Sequence, residues 1–514
     1  MANEKINEKQ ECIVGIDIGS SHVKVSIGYK QENGLLNVKG VEIQNVNDSV
    51  KDGSIVQVME LGKAIEAAKS ALERELNVTL KDAYVGISGS AVSCARYEDF
   101  VSINSPNNLI TESDVHDLTE RINKVSTNNE DKIIERILQR YIIDDRQEVR
   151  NPVGAFGTKL SAEYLLVLCS KVQIDRIKQT LFQARLQYKG ICVNPIAQSL
   201  ALLSKEEQDE GVAIVDIGCD LTDISVVRNG KVCYFASLPI GASSINNDLA
   251  QFVSASKSNI EKLKKSYGEA IAENIPLDAT CSVEVLGHSR KQILQRNVVE
   301  IIEERLKDIA RFALKSLREA KLSNKIPCGV LLTGGSTYLS NIDKLFSREM
   351  NMSVRCADTL YGVDEFSKEN VLASTQSVVV GVMLHGLQHT SGSEVEPAHT
   401  PQPQVVPPIQ RTQPTPPTPP VQPTPPTPPV QTTQPVPPTP AEPEDNGEEG
   451  GEQKVDNTTQ RTEQPPQKSE NSQKKEKKEK KGINIGGQLR GWGERITSAF
   501  DNFLGNGNDK KDYL

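Results

Sequence analysis

Apolar residues alternate with polar ones, or recur every third and fourth position, along the first 388 or so residues, and that rhythm then stops. The first run, Cys12 to Gly28, reads CIVGIDIGSSHVKVSIG. An apolar strand enters Asp17, the chain turns over Gly19, Ser20 and Ser21, and a second strand leaves with Val23, Val25 and Ile27 on one face and Lys24 on the other. This predicts a β-hairpin with a small, polar turn. A second copy, VAIVDIGCDLTDISVV, begins at Val212 and turns at Asp216, Ile217 and Gly218. The separation is too great for a solenoid repeat and suits two duplicated lobes.

Between the hairpins the pattern predicts a strand pair around 36–46, a helix over 59–76, a strand at DAYVGISG, helices over 112–122 and 131–142, a strand over 162–169, a helix over 175–187 and a strand at Ile191. The apolar helix NPIAQSLALL, from Asn194, leads into the second hairpin. After it come helices over 245–253, 259–267 and 292–320, a strand over 329–332, a glycine corner at Gly334, Gly335 and Ser336, and helices over 338–346 and 374–387. Residues 82–163 read as an inserted α/β subdomain, since helices lying between strands need a core of their own.

The tail has a different grammar. From 389 to about 444, Pro, Thr, Gln and Val repeat as PTPPTPPVQ, which predicts a disordered, polyproline-like spacer. KKEKKEKK at 474–481 then precedes a segment with Leu489, Trp492, Ile496, Phe500, Phe503 and Leu504 at helical spacing. Sixteen residues of helix reach roughly 24 Å, enough to lie in a membrane interface beside those lysines and too short to span.

Composition narrows the class. A net charge of −9 argues against a general nucleic-acid binder. Nine scattered cysteines without a CxxC pair suggest neither a zinc ribbon nor a disulfide framework, and there is no run of 18 apolar residues, so the expected compartment is the cytoplasm. The hairpin turns suit a phosphate, because successive backbone N–H groups can point into one concavity, with Lys24 adding charge and Asp17 placed to hold a hydrated Mg²⁺. Glu261 and Lys264, one helical turn apart, read on their own as a surface ion pair.

Five segments in one order (the first hairpin, NPIAQSLALL, the second hairpin, VLLTGGSTYL and TQSVVVGVMLHGL) resemble the phosphate loops, connecting helices and adenosine loop of the actin, Hsp70 and sugar-kinase superfamily. Within it, the inserted subdomain bounded by VGISG and NPVGAFG, the KLKKSYGEA helix and the tail are similar to the FtsA family of bacterial cell-division proteins. The resemblance implies an actin-like α/β fold of two ribonuclease H-like halves: a first lobe over 11–81 and 164–205, the insert over 82–163, a second lobe over 206–388, a linker over 389–481 and a membrane-targeting amphipathic helix over 482–506.

It also implies ATP with Mg²⁺ as ligands. Asp17 and Asp216 would hold the metal through water; Gly19, Ser20, Ser21, Lys24, Gly218 and Thr222 would line the phosphates. Glu261 and Lys264 would flank the nucleoside, and Gly334, Gly335 and Ser336 would form the adenosine loop. The implied partners are the C-terminal peptide of the tubulin-like division protein FtsZ, further copies in a filament, later division proteins and membrane lipid, at the cytoplasmic face of the inner membrane. An actin-like adaptor of a pilus or secretion machine, or a small-molecule kinase of the superfamily, is the alternative. Two departures stand out: Cys219, Asp220 and Leu221 replace the usual Gly-Gly-Thr, bringing an extra carboxylate, and Asn194 falls where relatives orient the attacking water. Asn is a poor base, which implies weak or negligible ATP hydrolysis.

Overall fold

Each hairpin forms in the register its alternation requires: Asp17 lies opposite Lys24 in the first, and Asp216 opposite Asp223 in the second. The computed structural model describes residues 12–127, 130–287 and 289–390. The spacer beyond 390 and the amphipathic segment carrying Leu489, Trp492, Ile496, Phe500, Phe503 and Leu504 lie outside the described residues.

Around each hairpin a five-stranded sheet is built in the same order. In the first, Cys12–Ile18, His22–Lys30 and Leu36–Asn45 make an antiparallel meander, and Asp82–Ile87 and then Gln187–Val193 extend it in parallel on the far side of Cys12–Ile18. In the second, Val212–Ile217, Thr222–Arg228 and Lys231–Leu238 form the meander, and Val330–Thr333 and Val354–Cys356 add in parallel. The strand pair predicted around 36–46 is thus one continuous strand, straightened by pairing with His22–Lys30 along its length.

A third sheet joins Val92–Ser102, Lys159–Ser170, Asp131–Ile143 and Gln147–Val149. Here the helix predicted over 131–142 is a strand. Ile133, Leu138 and Tyr141 face the small core of this sheet, with Leu118 and Ile122 of the helix Glu112–Asn123, whereas Ile134 and Ile137 pack on the first lobe. Because both faces are covered, the alternation that marks a half-buried strand is lost. The predicted insert, 82–163, also begins one strand early, since Asp82–Ile87 belongs to the first sheet, and it ends early, since Lys159–Ser170 is a single strand.

Two helices connect the lobes. Asn194–Leu202 opens with Pro195 in its first turn, a position where the missing N–H costs nothing. Ala373–Thr390 crosses it and lies on the first sheet. The contact depends on missing side chains: a Cβ on Gly381 would sit 1.9 Å from the Ala197 carbonyl oxygen, one on Gly15 2.7 Å from that of Val379, and one on Gly86 2.8 Å from the Val382 side chain. The apolar cluster beneath these helices includes Ile214 and Leu331 of the second sheet, so the lobes share core at their junction. Among the described residues, no helix is long and apolar enough to cross a membrane.

Candidate functional site

The two hairpin turns have matching geometry. The Gly19 N–H donates to the His22 carbonyl at 3.1 Å, leaving Ser20 and Ser21 as the loop, and the Gly218 N–H donates to that of Leu221 at 2.9 Å, leaving Cys219 and Asp220. Among the described residues the N–H groups of Ser20 and Ser21 have no backbone partner. In the second turn the carbonyls of Gly218 and Cys219 accept from the N–H groups of Ala242 and Ser243, which open the helix Ala242–Val253 and hold the loop from behind.

Charge gathers between the turns. Lys24 Nζ lies 2.6 Å from Asp17 Oδ2, and that pair is largely buried. Asp216, on the opposite lobe, accepts from Gln198 Nε2 at 2.5 Å, and Asp223 accepts from the hydroxyls of Ser237 and Ser88. Desolvation, then the neighbouring carboxylate of Asp223 and that of Asp17, push Asp216 up to about 7. Desolvation likewise carries Asp223 up to about 6, Asp17 contributing. Asp17 and Asp223 thus lie near enough to Asp216 to raise it, and Lys24 near enough to lower it.

The glycine corner closes on the same point. Gly334 has φ of 91°, where L side chains are strained, and a Cβ there would sit 2.3 Å from Asp216 Oδ1. Among the described residues nothing lies within 4 Å of a Cβ on Gly335, so there that side is open. On the other flank Lys264 Nζ meets Glu261 Oε2 at 2.7 Å and Asn246 Nδ2 donates to the same carboxylate. Burial would raise Glu261, but these bonds hold it below the usual carboxylate range. His22, on the first turn, is lowered by burial and then by the ammonium groups of Lys24 and of Lys265 on the helix Lys257–Tyr267.

Three buried polar atoms here, Asn194 Oδ1, Ser336 Oγ and Asn246 Oδ1, have no hydrogen-bond partner among the described residues. An unmet buried group costs roughly 1–3 kcal/mol, so such atoms mark where water or a ligand completes the site. Thr222 stands apart. Its side chain is fully buried and its hydroxyl donates to the Ile240 carbonyl, which removes it from the cleft. The acid that adds charge deep in the site is Asp223. Asp220 hydrogen-bonds the Cys219 thiol, which burial followed by that carboxylate pushes up to about 12. Sequence reasoning missed Asp223, Gln198, Ser237, Asn246 and His22.

A pH effect follows. The folded chain retains protons on Asp216 and Asp223 that the unfolded chain releases near pH 4, so their contribution to stability falls as pH rises from about 4 to 7. In EDTA, Asp223→Asn is expected to gain on the order of 2 kcal/mol over the parent at pH 7.5 and much less at pH 4.5. Urea unfolding of both proteins at the two pH values checks this; an equal difference at both would exclude a carboxylate cause.

A family profile described as "Cell division protein FtsA" matches residues 213–377, and one described as "SHS2 domain inserted in FTSA" matches 89–168. The chain is 31% identical over 353 residues to the cell division protein FtsA of Bacillus subtilis (strain 168), covering 68% of this chain and 79% of that protein. The chain belongs to the FtsA family of cell-division proteins. A second FtsA, from Pseudomonas aeruginosa, is 26% identical over 382 residues, covering 74% of this chain and 90% of its own length. Among solved structures the chain is similar to a PilM–PilN type IV pilus biogenesis complex (15% identity, TM-score 0.49, 73% of this chain and 98% of that one), a likeness too loose to bear on the assignment. As the FtsA resemblance implied, the fold is actin-like, its duplication visible in the identical strand order of the two lobes' sheets. Membership of FtsA favours the cell-division reading over the pilus-adaptor and kinase alternatives.

Proposed function

We propose that this FtsA-family chain binds ATP with Mg²⁺ between its lobes, assembles into filaments, and holds FtsZ to the cytoplasmic face of the membrane at the division site, where later division proteins join. The observation that carries the nucleotide reading is the meeting of Asp17 and Asp216 from two lobes beside the open corner at Gly334 and Gly335. Three crowded carboxylates with one lysine favour an added cation. Asp17, Asp216 and Asp223 would hold hydrated Mg²⁺, whose charge would offset that of the phosphates. The turns at Gly19–Ser21 and Gly218–Asp220 and the Lys24 ammonium would receive the phosphates, the loop at Gly334, Gly335 and Ser336 the adenosine, and Glu261 with Lys264 the ribose side. Asn194 and Gln198, one helical turn apart, would orient water without being strong bases, so turnover is slow.

The tail supports the membrane part of this reading: a weak amphipathic segment becomes effective when a filament presents many copies. In co-sedimentation with anionic vesicles, full-length protein is expected to pellet more in ATP than without it. Trp492→Glu is expected to abolish pelleting while leaving ATP affinity, measured by titration, within about twofold. ATP binding with undiminished pelleting of the variant would refute the membrane role; no ATP binding would refute the nucleotide reading. Adding FtsZ then shows whether it pellets only with the intact chain.

A further inference from the structure

A second cluster of chemically able side chains lies away from the cleft. His385 and His389 occupy one face of the helix Ala373–Thr390, four residues apart, with Nε2 atoms 2.9 Å from each other. Glu135, from the strand Asp131–Ile143 of the third sheet, brings Oε2 to 3.7 Å from His385 Nε2. One ligand atom from each of the three lies within 4.8 Å of the other two. His385 is 6% exposed, and its Nδ1 has no hydrogen-bond partner among the described residues that meets ordinary geometry. The thiol of Cys192, a buried cysteine on the strand Gln187–Val193, lies alongside that ring.

Protons alone satisfy this arrangement poorly. Two facing Nε2 atoms can share one proton, which makes one ring a donor and the other an acceptor. If His385 is the acceptor, it has no Nε2 proton for Glu135; if it is the donor, its single proton is split between His389 and the carboxylate. A divalent cation removes the conflict, because both Nε2 lone pairs and the carboxylate point at one charge and each Nδ1 keeps its proton. The spacing is suitable: Zn–N bonds of about 2.0–2.1 Å at a tetrahedral angle put two ligand nitrogens about 3.3 Å apart, a spreading of a few tenths of an ångström here.

We propose that Glu135, His385 and His389 form a binding site for a borderline-soft divalent metal, Zn²⁺ in the first instance, with water as fourth ligand and Cys192 supporting the His385 ring. Two imidazoles and a carboxylate select such a metal over Mg²⁺ or Ca²⁺, which prefer all-oxygen shells. The ion fastens the last described turns of the connecting helix to the third sheet. It thereby ties the inserted subdomain to the point from which the tail departs.

The test uses the tag-free full chain, stripped with EDTA and titrated with Zn²⁺ against a chromophoric chelator, with Co²⁺ as spectroscopic probe. One equivalent of Zn²⁺ per chain is expected, along with a visible Co²⁺ band and a higher unfolding temperature in Zn²⁺. His389→Ala and Glu135→Gln, each checked for folding by circular dichroism, are expected to weaken binding at least about tenfold and to lose the Co²⁺ band, while His116→Ala, exposed on another helix, leaves both unchanged. Absence of stoichiometric binding, or equal binding by parent and both variants, would overturn the proposal.

Discussion

Gly381→Ala is expected to destabilise the folded chain by about 3 kcal/mol or more. The added Cβ would fall 1.9 Å from the Ala197 carbonyl oxygen. It meets backbone rather than the end of a flexible side chain, so it can be accommodated only by parting the two connecting helices. Overpacking a core ordinarily costs about 1–3 kcal/mol, with more where neighbours cannot give way. Parting the helices also opens the apolar layer beneath them, where Val379 and Met383 are fully buried. Urea unfolding of the two proteins measures the cost; a difference below about 1 kcal/mol would mean that the helices separate readily and that the close approach does not hold the lobes.

Lys24→Ala is the second large effect, and it falls on the cleft. Lys24 and Asp17 form a mostly buried pair at 2.6 Å, with Asp216 and Asp223 at the same corner. Removing one partner of such a pair leaves an uncompensated buried charge and typically costs about 3–5 kcal/mol. Three acids then face each other without their cation, and an anionic ligand meets net repulsion. ATP affinity in Mg²⁺ is expected to fall at least about 100-fold, close to 2.7 kcal/mol. Lys24→Arg, which keeps the charge but is bulkier, is expected to recover part of the loss. Titration of a fluorescent ATP analogue against folded protein decides the matter, and parental affinity in Lys24→Ala would remove Lys24 from the site.

Much of this was legible in the chain. The hairpins declare themselves because each joins strict alternation to an Asp-Ile-Gly corner, and the helix at Asn194 because an apolar run opens on Asn-Pro. What escaped notice did so for identifiable reasons. Asp223 reads as an ordinary polar position on an alternating strand; only the register shows it opposite Asp216 as Lys24 is opposite Asp17, seven residues on in each hairpin. Gln198 is invisible until helical spacing from Asn194 is set against a second lobe. Asp131–Ile143 has isoleucines on both sides, and a strand covered on both faces imitates an apolar helix. Misreading that strand also hides Glu135, so the pair His385 and His389 gives no hint of a third ligand.

The bare crossing of the two connecting helices fixes how closely the lobes are joined. Where Gly381 lies on Ala197 no side chain intervenes, so one backbone rests directly on the other. The separation of the two rods at that level is therefore set by main-chain dimensions rather than by side chains that can change rotamer.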